Sequence, residues 1–389
     1  MCRDDGVVGF VKTERMARKI LLGMLVPILG VTIYFGVHAL ELRRDLFAYA
    51  ELTDGGILLP EGFWYRTSYI EITNRVLTAR DAALFSDLKH LEGIILKDVE
   101  VPEAFWKSLS KMDDVRNLYL VNVSIDGGGL AYIGALETLE YLHIDDASKI
   151  QDEDLVALQR LTNLRMLTLH QADVRGEGLT HIGNPDGLIG LGLGDSSLTP
   201  QGMSVVEGFT GLRVLNLEGT QIGNEGAEYL LGLTNLVWLD LSDTEVGGDG
   251  FAGFGYPPRL RALNLSRTRI DDQDLQYLAV CPHLLQVYLN HAQVRGHGLR
   301  YFQRFIACDV SGTPVTQEAI RSVAENGFPQ GAAITVSADL FGEDWSDTNP
   351  VLRSRGIAIK KSVDDEPGRP FSRSGLGDYR SWPMFPSEL

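Results

Sequence analysis

The sequence predicts an α/β solenoid, a curved stack in which short parallel strands form a concave face and helices form the convex face. A pattern of apolar residues with a period of about 24 recurs along about two thirds of the 389-residue chain. Within each repeat, an alternating apolar segment precedes apolar residues spaced by three and four, which indicates a strand followed by a helix. An uncharged apolar segment near the N-terminus predicts a single transmembrane helix ahead of the solenoid.

The repeat is clearest in three consecutive units, which start at Leu212, Leu236 and Leu260. Each has apolar residues at positions one, four and six, Thr at position nine, and Ile or Val at position eleven. Apolar residues recur at positions sixteen and nineteen. Steps of 24 or 25 residues, with one of 21 near the end, give about eleven units between residues 67 and 325. The units begin at Thr67, Leu91, Val115, Leu139, Leu164, Leu188, Leu212, Leu236, Leu260, Leu284 and Phe305.

A strand and a helix of this size cannot bury their apolar sides alone, so consecutive units must stack. The recurring Leu-x-x-Leu-x-Leu-x-x-Thr-x-Ile core resembles the leucine-rich repeat family. The junctions at Gly176–Leu179 and Gly296–Leu299 are similar to those of its helix-bearing, ribonuclease-inhibitor-like subclass. This resemblance implies macromolecular recognition without identifying the partner.

The ninth position departs from the family pattern, in which Asn or Cys is usual. Here it is Thr in several units, and a Thr hydroxyl can bond to backbone groups of the following turn. Three units have alanine at this position, which offers no such group: Ala147, Ala172 and Ala292. We therefore expect the hydrogen-bond ladder at this position to be incomplete.

The N-terminal segment predicts a membrane anchor. Residues 20–37 contain no charge, and the 19 residues before them contain five basic and three acidic residues, which favours a cytoplasmic N-terminus and an exported repeat domain. A cleaved signal peptide ending near Ala39 and a buried soluble helix are the alternatives. The predicted order is a cytoplasmic segment (1–19), a transmembrane helix or signal anchor (20–40), an N-terminal cap (41–66), the repeats (67–325), and a C-terminal cap with a mostly disordered tail (326–389).

Composition argues against several functional classes. A net charge of −17 disfavours nucleic acid as a partner, since phosphate binding needs clustered Lys and Arg. Three scattered cysteines are too few for a disulfide framework, and Cys281 and Cys308 fall on interior positions of the repeat. No serine or cysteine lies in a nucleophile motif such as GxSxG. We therefore expect a non-enzymatic protein without a cofactor or a metal; a weak metal site at His143, Asp145 and His170 is the alternative.

The predicted binding residues lie on the concave face. Because side chains alternate along a strand, the third, fifth and seventh positions of each unit point out of the sheet. We expect an exposed Trp238 to anchor a protein partner, since Trp is enriched in binding hot spots; packing against cross-strand neighbours is the alternative. The C-terminal cluster comprises Asn216, Glu218, Trp238, Asp240, Asn264 and Tyr288. The N-terminal cluster comprises Tyr119, Tyr141, His143, Asp145 and His170.

Alternating glycines separate the two clusters. The run Gly190-Leu-Gly192-Leu-Gly194 resembles part of a nucleotide-binding loop, but Asp195 stands where that motif requires glycine. The repeat instead places the three glycines at the third, fifth and seventh positions of one strand. They predict a bare strip of backbone, which is either approached closely by a partner or is simply a weak unit.

These features predict a membrane-anchored recognition protein that binds another protein through its concave face. The alternative is an envelope-organising structural protein that acts through its convex face or its C-terminal tail. Trp382, Met384 and Phe385 lie among prolines in that tail and could form a docking peptide.

Overall fold

The computed structural model describes residues 69–85, 88, 91–252, 258–279, 281–302, 306–326, 329–337 and 350–361. Thirteen parallel strands within them form one sheet, and each strand pairs with the next one along the chain. This order is that of a solenoid, because each unit contributes one strand. The strands are β1 (Tyr69–Val76), β2 (Gly93–Glu100), β3 (Asn117–Val121), β4 (Tyr141–Ile144), β5 (Met166–Leu169), β6 (Gly190–Gly192), β7 (Val214–Asn216), β8 (Trp238–Asp240), β9 (Ala262–Asn264), β10 (Gln286–Tyr288), β11 (Ala307–Asp309), β12 (Ala333–Val336) and β13 (Ala358–Lys361).

Short helices lie between consecutive strands. In the unit that starts at Leu212, the helix predicted after the strand is not one continuous helix: an α-helix at Gly223–Ala227 is followed directly by a 3-10 helix at Glu228–Gly232. A repeat of this length leaves little chain for a helix after its strand and two turns. The α-helices are α1 (Ala79–Phe85), α2 (Glu103–Leu109), α3 (Gly127–Ile133), α4 (Met203–Val206), α5 (Gly223–Ala227), α6 (Gly248–Ala252), α7 (Leu275–Leu278), α8 (Gln317–Glu325) and α9 (Pro350–Ser354). The 3-10 helices are η1 (Asp152–Arg160), η2 (Glu177–His181), η3 (Pro185–Gly187), η4 (Glu228–Gly232) and η5 (His297–Tyr301).

The apolar positions of the repeat form the core. In the unit that starts at Leu212, residues Leu215, Leu217, Ile222 and Leu230 are all 0% exposed. The same positions are buried in the neighbouring units, so the predicted interior is confirmed. Each such side chain contributes about 1.5–3 kcal/mol through burial. The core therefore runs the length of the sheet on one of its two faces.

Threonine at the ninth position stabilises the turn after the strand. Each hydroxyl donates a hydrogen bond of 2.5–2.6 Å to the carbonyl oxygen three residues earlier. The donors are buried and comprise Thr220, Thr244, Thr268 and Thr313. The alanines at this position, Ala147, Ala172 and Ala292, are buried and lack the hydroxyl, so the ladder is incomplete as predicted.

The eighth position adopts a left-handed backbone conformation in ten units. Asn, Asp and Gly tolerate this conformation most easily, and they occupy seven of the ten sites. At the other three sites a longer side chain is held in the same region, which costs on the order of 1 kcal/mol. The residues have φ between 52° and 68° and are Asn74, Asp98, Asn122, Gln171, Asp195, Gly219, Asp243, Arg267, His291 and Gly312.

An aspartate clamp joins two pairs of neighbouring units. The Asp152 carboxylate accepts hydrogen bonds from the backbone N–H groups of Arg175 (2.6 Å), Gly176 (3.1 Å) and Gly178 (2.6 Å) in the next unit. Gly178 has no room for a side chain, because a Cβ would lie 2.2 Å from the Asp152 carbonyl oxygen. The Gly-x-Gly junction thus serves to seat the loop against the preceding unit.

Asp272 forms the second clamp in the same way. Its carboxylate accepts hydrogen bonds from the N–H groups of Arg295 (2.8 Å), Gly296 (3.1 Å) and Gly298 (2.5 Å). Gly176 and Gly296 have φ of 116° and 103°, so each loop also needs glycine for its backbone conformation. The repetition of this contact in two distant units identifies it as part of the repeat architecture.

The sheet continues past residue 325, where the repeats are predicted to end. Ala307 pairs with Ala333, and Ala333 pairs with Ala358, so β12 and β13 extend the register. Strand β12 keeps the alternation of buried residues, with Ile334 and Val336 in the core, whereas Ile359 of β13 is only half-buried. Alanine, isoleucine and valine replace the leucine pattern there, which is why the repeat is not recognised in the sequence. The rest of the predicted tail, residues 362–389, lies outside the described residues.

No helix in the part of the chain that the structure describes is long and apolar enough to cross a bilayer. The predicted transmembrane segment at 20–40 lies outside the described residues. The predicted cytoplasmic segment (1–19) and the predicted N-terminal cap (41–66) also lie outside the described residues.

Candidate protein-binding face

The third, fifth and seventh positions of the units share the face of the sheet opposite the core, which is called the variable face here. The fifth positions form one row, in which Tyr119 pairs with His143 and Asn216 pairs with Asp240. Trp238 lies in the adjacent third-position row beside Val214. The seventh positions follow at the ends of the strands. The structure therefore brings both predicted clusters to one continuous face.

Exposure varies along the variable face. Tyr69 and Trp238 both occupy the third position of their repeat units, on β1 and β8. Tyr69 is 47% exposed, whereas Trp238 is 7% exposed. The prediction that Trp238 is exposed is therefore wrong. It belongs to an apolar cluster with Met166, Val214 and Ala262, against which Tyr141 and Ile189 also pack. The alternative, in which this aromatic residue packs on cross-strand neighbours, describes its environment.

The polar residues of the C-terminal cluster form a hydrogen-bond ladder across the strand ends. Asp240 Oδ1 accepts from the backbone N–H (2.9 Å) and hydroxyl (2.6 Å) of Ser242, and its Oδ2 accepts from Asn264 Nδ2 (3.0 Å). Asn264 Oδ1 accepts in turn from the N–H (3.1 Å) and hydroxyl (2.7 Å) of Ser266. Asp240 and Asn264 are each 3% exposed. Their first role is thus to fix the ends of β8 and β9.

The same arrangement occurs on either side. Asn216 Oδ1 accepts from the N–H of Glu218 (2.8 Å), and Asp309 Oδ1 accepts from the N–H (3.0 Å) and hydroxyl (2.6 Å) of Ser311. A short polar side chain that bonds to the backbone two residues later is an Asx turn. The sequence contains a signal for these Asx turns, because Asn or Asp at position five recurs with Ser at position seven. The prediction that the position-five residues contact a partner overlooks this signal. Tyr288, the remaining member of the cluster, is half-buried on β10.

The N-terminal cluster is half-buried. The rings of Tyr119 and His143 lie 6.2 Å apart between centroids, on adjacent strands. The pKa of His143 is lowered to about 4, mainly because burial disfavours the charged ring. Asp145 opposes this shift, and the nearby His170 adds to it. His143 is therefore neutral at physiological pH and presents an uncharged imidazole.

His170 lies between two carboxylates. Its Nδ1 is 4.0 Å from Asp145 Oδ1, and its Nε2 is 3.5 Å from Asp195 Oδ2. Over the described ranges, no group of three or more His, Cys, Asp or Glu residues has the geometry of a metal site. This part of the face accordingly combines two imidazoles, two tyrosines and acidic groups as a polar aromatic surface.

The three glycines of β6 and its end are covered by side chains of the preceding unit, so the prediction of a bare strip of backbone is wrong. A Cβ would lie 2.8–3.0 Å from the nearest atom of that unit: Met166 at Gly190, Thr168 at Gly192 and His170 at Gly194. All three glycines are buried. Their physical role is to make room for these larger side chains, which lean across from β5.

The two described cysteines are buried core residues. Cys281 is 7% exposed and Cys308 is 1% exposed, as their positions in the repeat predict. Burial raises the pKa of Cys281 to about 11, and it raises the pKa of Cys308 as well, with a contribution from Asp309. Both thiols are therefore protonated at neutral pH and are poor nucleophiles.

A stack of units, each with one parallel strand and a leucine core, is the architecture of a leucine-rich repeat protein. A family model described as "Leucine Rich repeat" matches residues 211–231, within the unit that starts at Leu212. A search of curated proteins found no matching sequence.

Two solved structures resemble the chain. An internalin (InlF) of Listeria monocytogenes is 15% identical with a TM-score of 0.53, over 84% of this chain and 91% of that one. A mouse RP105/MD-1 complex contains a chain that is 16% identical with a TM-score of 0.50, over 75% of this chain and 54% of that one. Identities this low show similarity of fold alone. The family model thus matches one unit of the repeat, and the two structures show a similar fold over most of the chain.

Proposed function

We propose that this protein is a membrane-anchored, non-enzymatic recognition protein that binds a protein partner through its variable face, the predicted concave surface. One of the similar structures is itself a complex, that of mouse RP105 and MD-1. Repeat proteins of this architecture commonly bind through the surface that their strands form.

The observation that carries the proposal is the contrast between the two faces of the sheet. The core face is almost uniformly leucine, while the other face holds the half-buried tyrosines Tyr119, Tyr141 and Tyr288. Aromatic side chains with one polar end supply much contact area for little loss of entropy. Because Trp238 and Asp240 are buried, we assign the first contacts with the partner to these tyrosines and to His143.

Affinity capture with the full chain tests the use of this face. Tyr141→Ala should weaken partner capture about tenfold or more, the effect of losing a hot-spot side chain. Val156→Ala is the matched control, because Val156 lies on η1 and is 52% exposed. Circular dichroism would verify that both variants are folded. Equal capture by Tyr141→Ala and the wild type would refute the proposed contact surface.

The membrane anchor is a separate part of the proposal, and it rests on the uncharged segment at residues 20–37. Protease added to intact cells should digest the repeat domain and leave a protected N-terminal fragment. Protection of the whole chain until the cells are lysed would contradict the exported orientation.

A further inference from the structure

Burial at the middle of the variable face suggests that a further segment covers it. The third-position residues on β7, β8 and β9 are Val214, Trp238 and Ala262, and they are only 5–8% exposed. Tyr69, on the same face at β1, is 47% exposed. Val214 and Ala262 are smaller than an indole and flank it in the sheet, so they cover its edges rather than its outer surface. An apolar segment lying across these strands would account for this burial.

The charge of the face defines the chemistry of such a segment. From β4 to β11, the third, fifth and seventh positions include four carboxylates and no Lys or Arg. A matching segment therefore presents apolar side chains together with a guanidinium or ammonium group, because charge complementarity favours the correct partner. The carboxylates are Asp145, Glu218, Asp240 and Asp309.

We propose that residues 380–385 of the chain's own C-terminus, Arg-Ser-Trp-Pro-Met-Phe, occupy the variable face over β7–β9 and compete there with the partner. This segment lies outside the described residues. Trp382, Met384 and Phe385 supply apolar side chains for the cluster around Trp238, and Arg380 supplies the positive charge. Pro383 and Pro386 favour an extended chain that loses little entropy on binding. The proposal rests on the proposed function in taking the same face as the partner site.

The length of the C-terminal segment permits this contact. Strand β13 ends at Lys361, and 20 residues separate it from Trp382. An extended chain of that length reaches about 70 Å. Strand β8 is five strands away in the sheet, which corresponds to about 24 Å. An intramolecular segment with this much slack has an effective concentration in the millimolar range.

The test uses the full chain and a fluorescein-labelled synthetic peptide of residues 379–386 with an amidated C-terminus, which contains Arg380 and excludes the acidic Asp378 and Glu388. Binding is followed by fluorescence anisotropy. The peptide should bind the Trp382→Ala chain about tenfold or more tightly than the wild type, whose own segment competes for the face. Ser374→Ala, a change outside the proposed segment, should behave as the wild type does. Adding Asp309→Asn to Trp382→Ala should weaken peptide binding and reduce its dependence on salt, because one carboxylate of the face is lost. Asparagine keeps an oxygen that accepts the hydrogen bonds from Ser311.

Equal affinity of the peptide for the wild type and Trp382→Ala, or no binding to either, would overturn the proposal. In that case another part of the chain covers the face. Partner capture separates this failure from failure of the proposed function. If Tyr141→Ala still weakens capture, recognition by the variable face stands without the C-terminal contact. A rise in capture with Trp382→Ala would support the competition.

Discussion

The hydroxyl at the ninth position of the repeat illustrates how one atom stabilises a unit. Thr268 Oγ1 is buried and donates to the Leu265 carbonyl oxygen at 2.6 Å. Without the hydroxyl, that carbonyl oxygen would lose its side-chain partner in a buried turn. Removing one partner of a buried hydrogen bond costs more than the bond itself contributes, since the remaining group stays desolvated.

Thr268→Val should therefore lower the free energy of unfolding by about 1–2 kcal/mol, because valine keeps the shape and loses the donor. Thr268→Ser is the control and should retain most of the stability. Urea denaturation followed by circular dichroism measures both. A valine variant as stable as the wild type would show that the hydroxyl contributes nothing to the turn.

His143 predicts a stability that depends on pH. Its pKa is about 4 in the folded protein, below the ordinary value of 6.5, because burial disfavours the charged ring. Above about pH 6.5 neither state binds this proton; between about 6.5 and 4 the unfolded state binds more, so the free energy of unfolding falls as pH falls. The contribution of this group levels off below about pH 4. Tyr119, Asp145 and His170 are the groups that face it.

His143→Gln should reduce this loss between pH 7 and 4.5 by on the order of 1–3 kcal/mol. Urea denaturation at intervals of half a pH unit compares the variant with the wild type. The carboxylates and His170 remain in both proteins, so the difference isolates His143. Parallel curves for the two proteins would rule out a buried neutral His143.

At the scale of elements, the aspartate clamps join units that otherwise meet through strand pairing and core packing. Asp152 and Asp272 each bind three N–H groups of the following loop. A carboxylate that accepts several backbone hydrogen bonds forms strong, charge-assisted contacts. Because adjacent repeats stabilise one another, loss of a clamp weakens an interface rather than one loop.

Asp272→Ala should lower the free energy of unfolding by about 2–4 kcal/mol, since it leaves three backbone donors without their carboxylate. Gln273→Ala is the neighbouring control, because Gln273 is exposed and its hydrogen bonds to Asp271 and Gln276 are made by its backbone, which the change to alanine retains. Hydrogen exchange should show faster exchange at Arg295, Gly296 and Gly298 in the Asp272 variant alone. Unchanged protection at those amides would contradict the clamp.

The sequence predicts core elements well and surface exposure poorly. Leucine spacing identifies the core side of most strands, because burial of a whole row requires an apolar residue at the same position of every unit. Exposure of Trp238 depends instead on what lies over the face, which no periodicity records. Likewise, the Asp240 and Asn264 side chains suit both solvent and an Asx turn, so composition alone cannot separate these roles. Strand β12 escapes recognition because its core residues are isoleucine and valine, and β13 because it has alanine, isoleucine and two lysines in place of the leucine pattern.

At the scale of the whole molecule, one sheet of thirteen parallel strands separates a leucine core from a face with a polar aromatic end and an apolar middle. The hydrogen-bond ladder keeps the ends of β8 and β9 aligned, and Tyr288 lies on the next strand, between β9 and β11. Tyr119 and Tyr141 are half-buried on β3 and β4, whose register with their neighbours limits their movement. Fixed aromatic groups bind with a smaller entropy cost than mobile ones. This organisation is the one that the proposed recognition surface requires.

Photo-crosslinking tests the central claim most directly. A benzoylphenylalanine at position 141, on the variable face, is compared with one at position 156, on η1, in the full chain in intact cells. The account predicts a crosslinked protein partner at position 141 and none at position 156. A partner crosslinked only at position 156 would contradict recognition through the variable face.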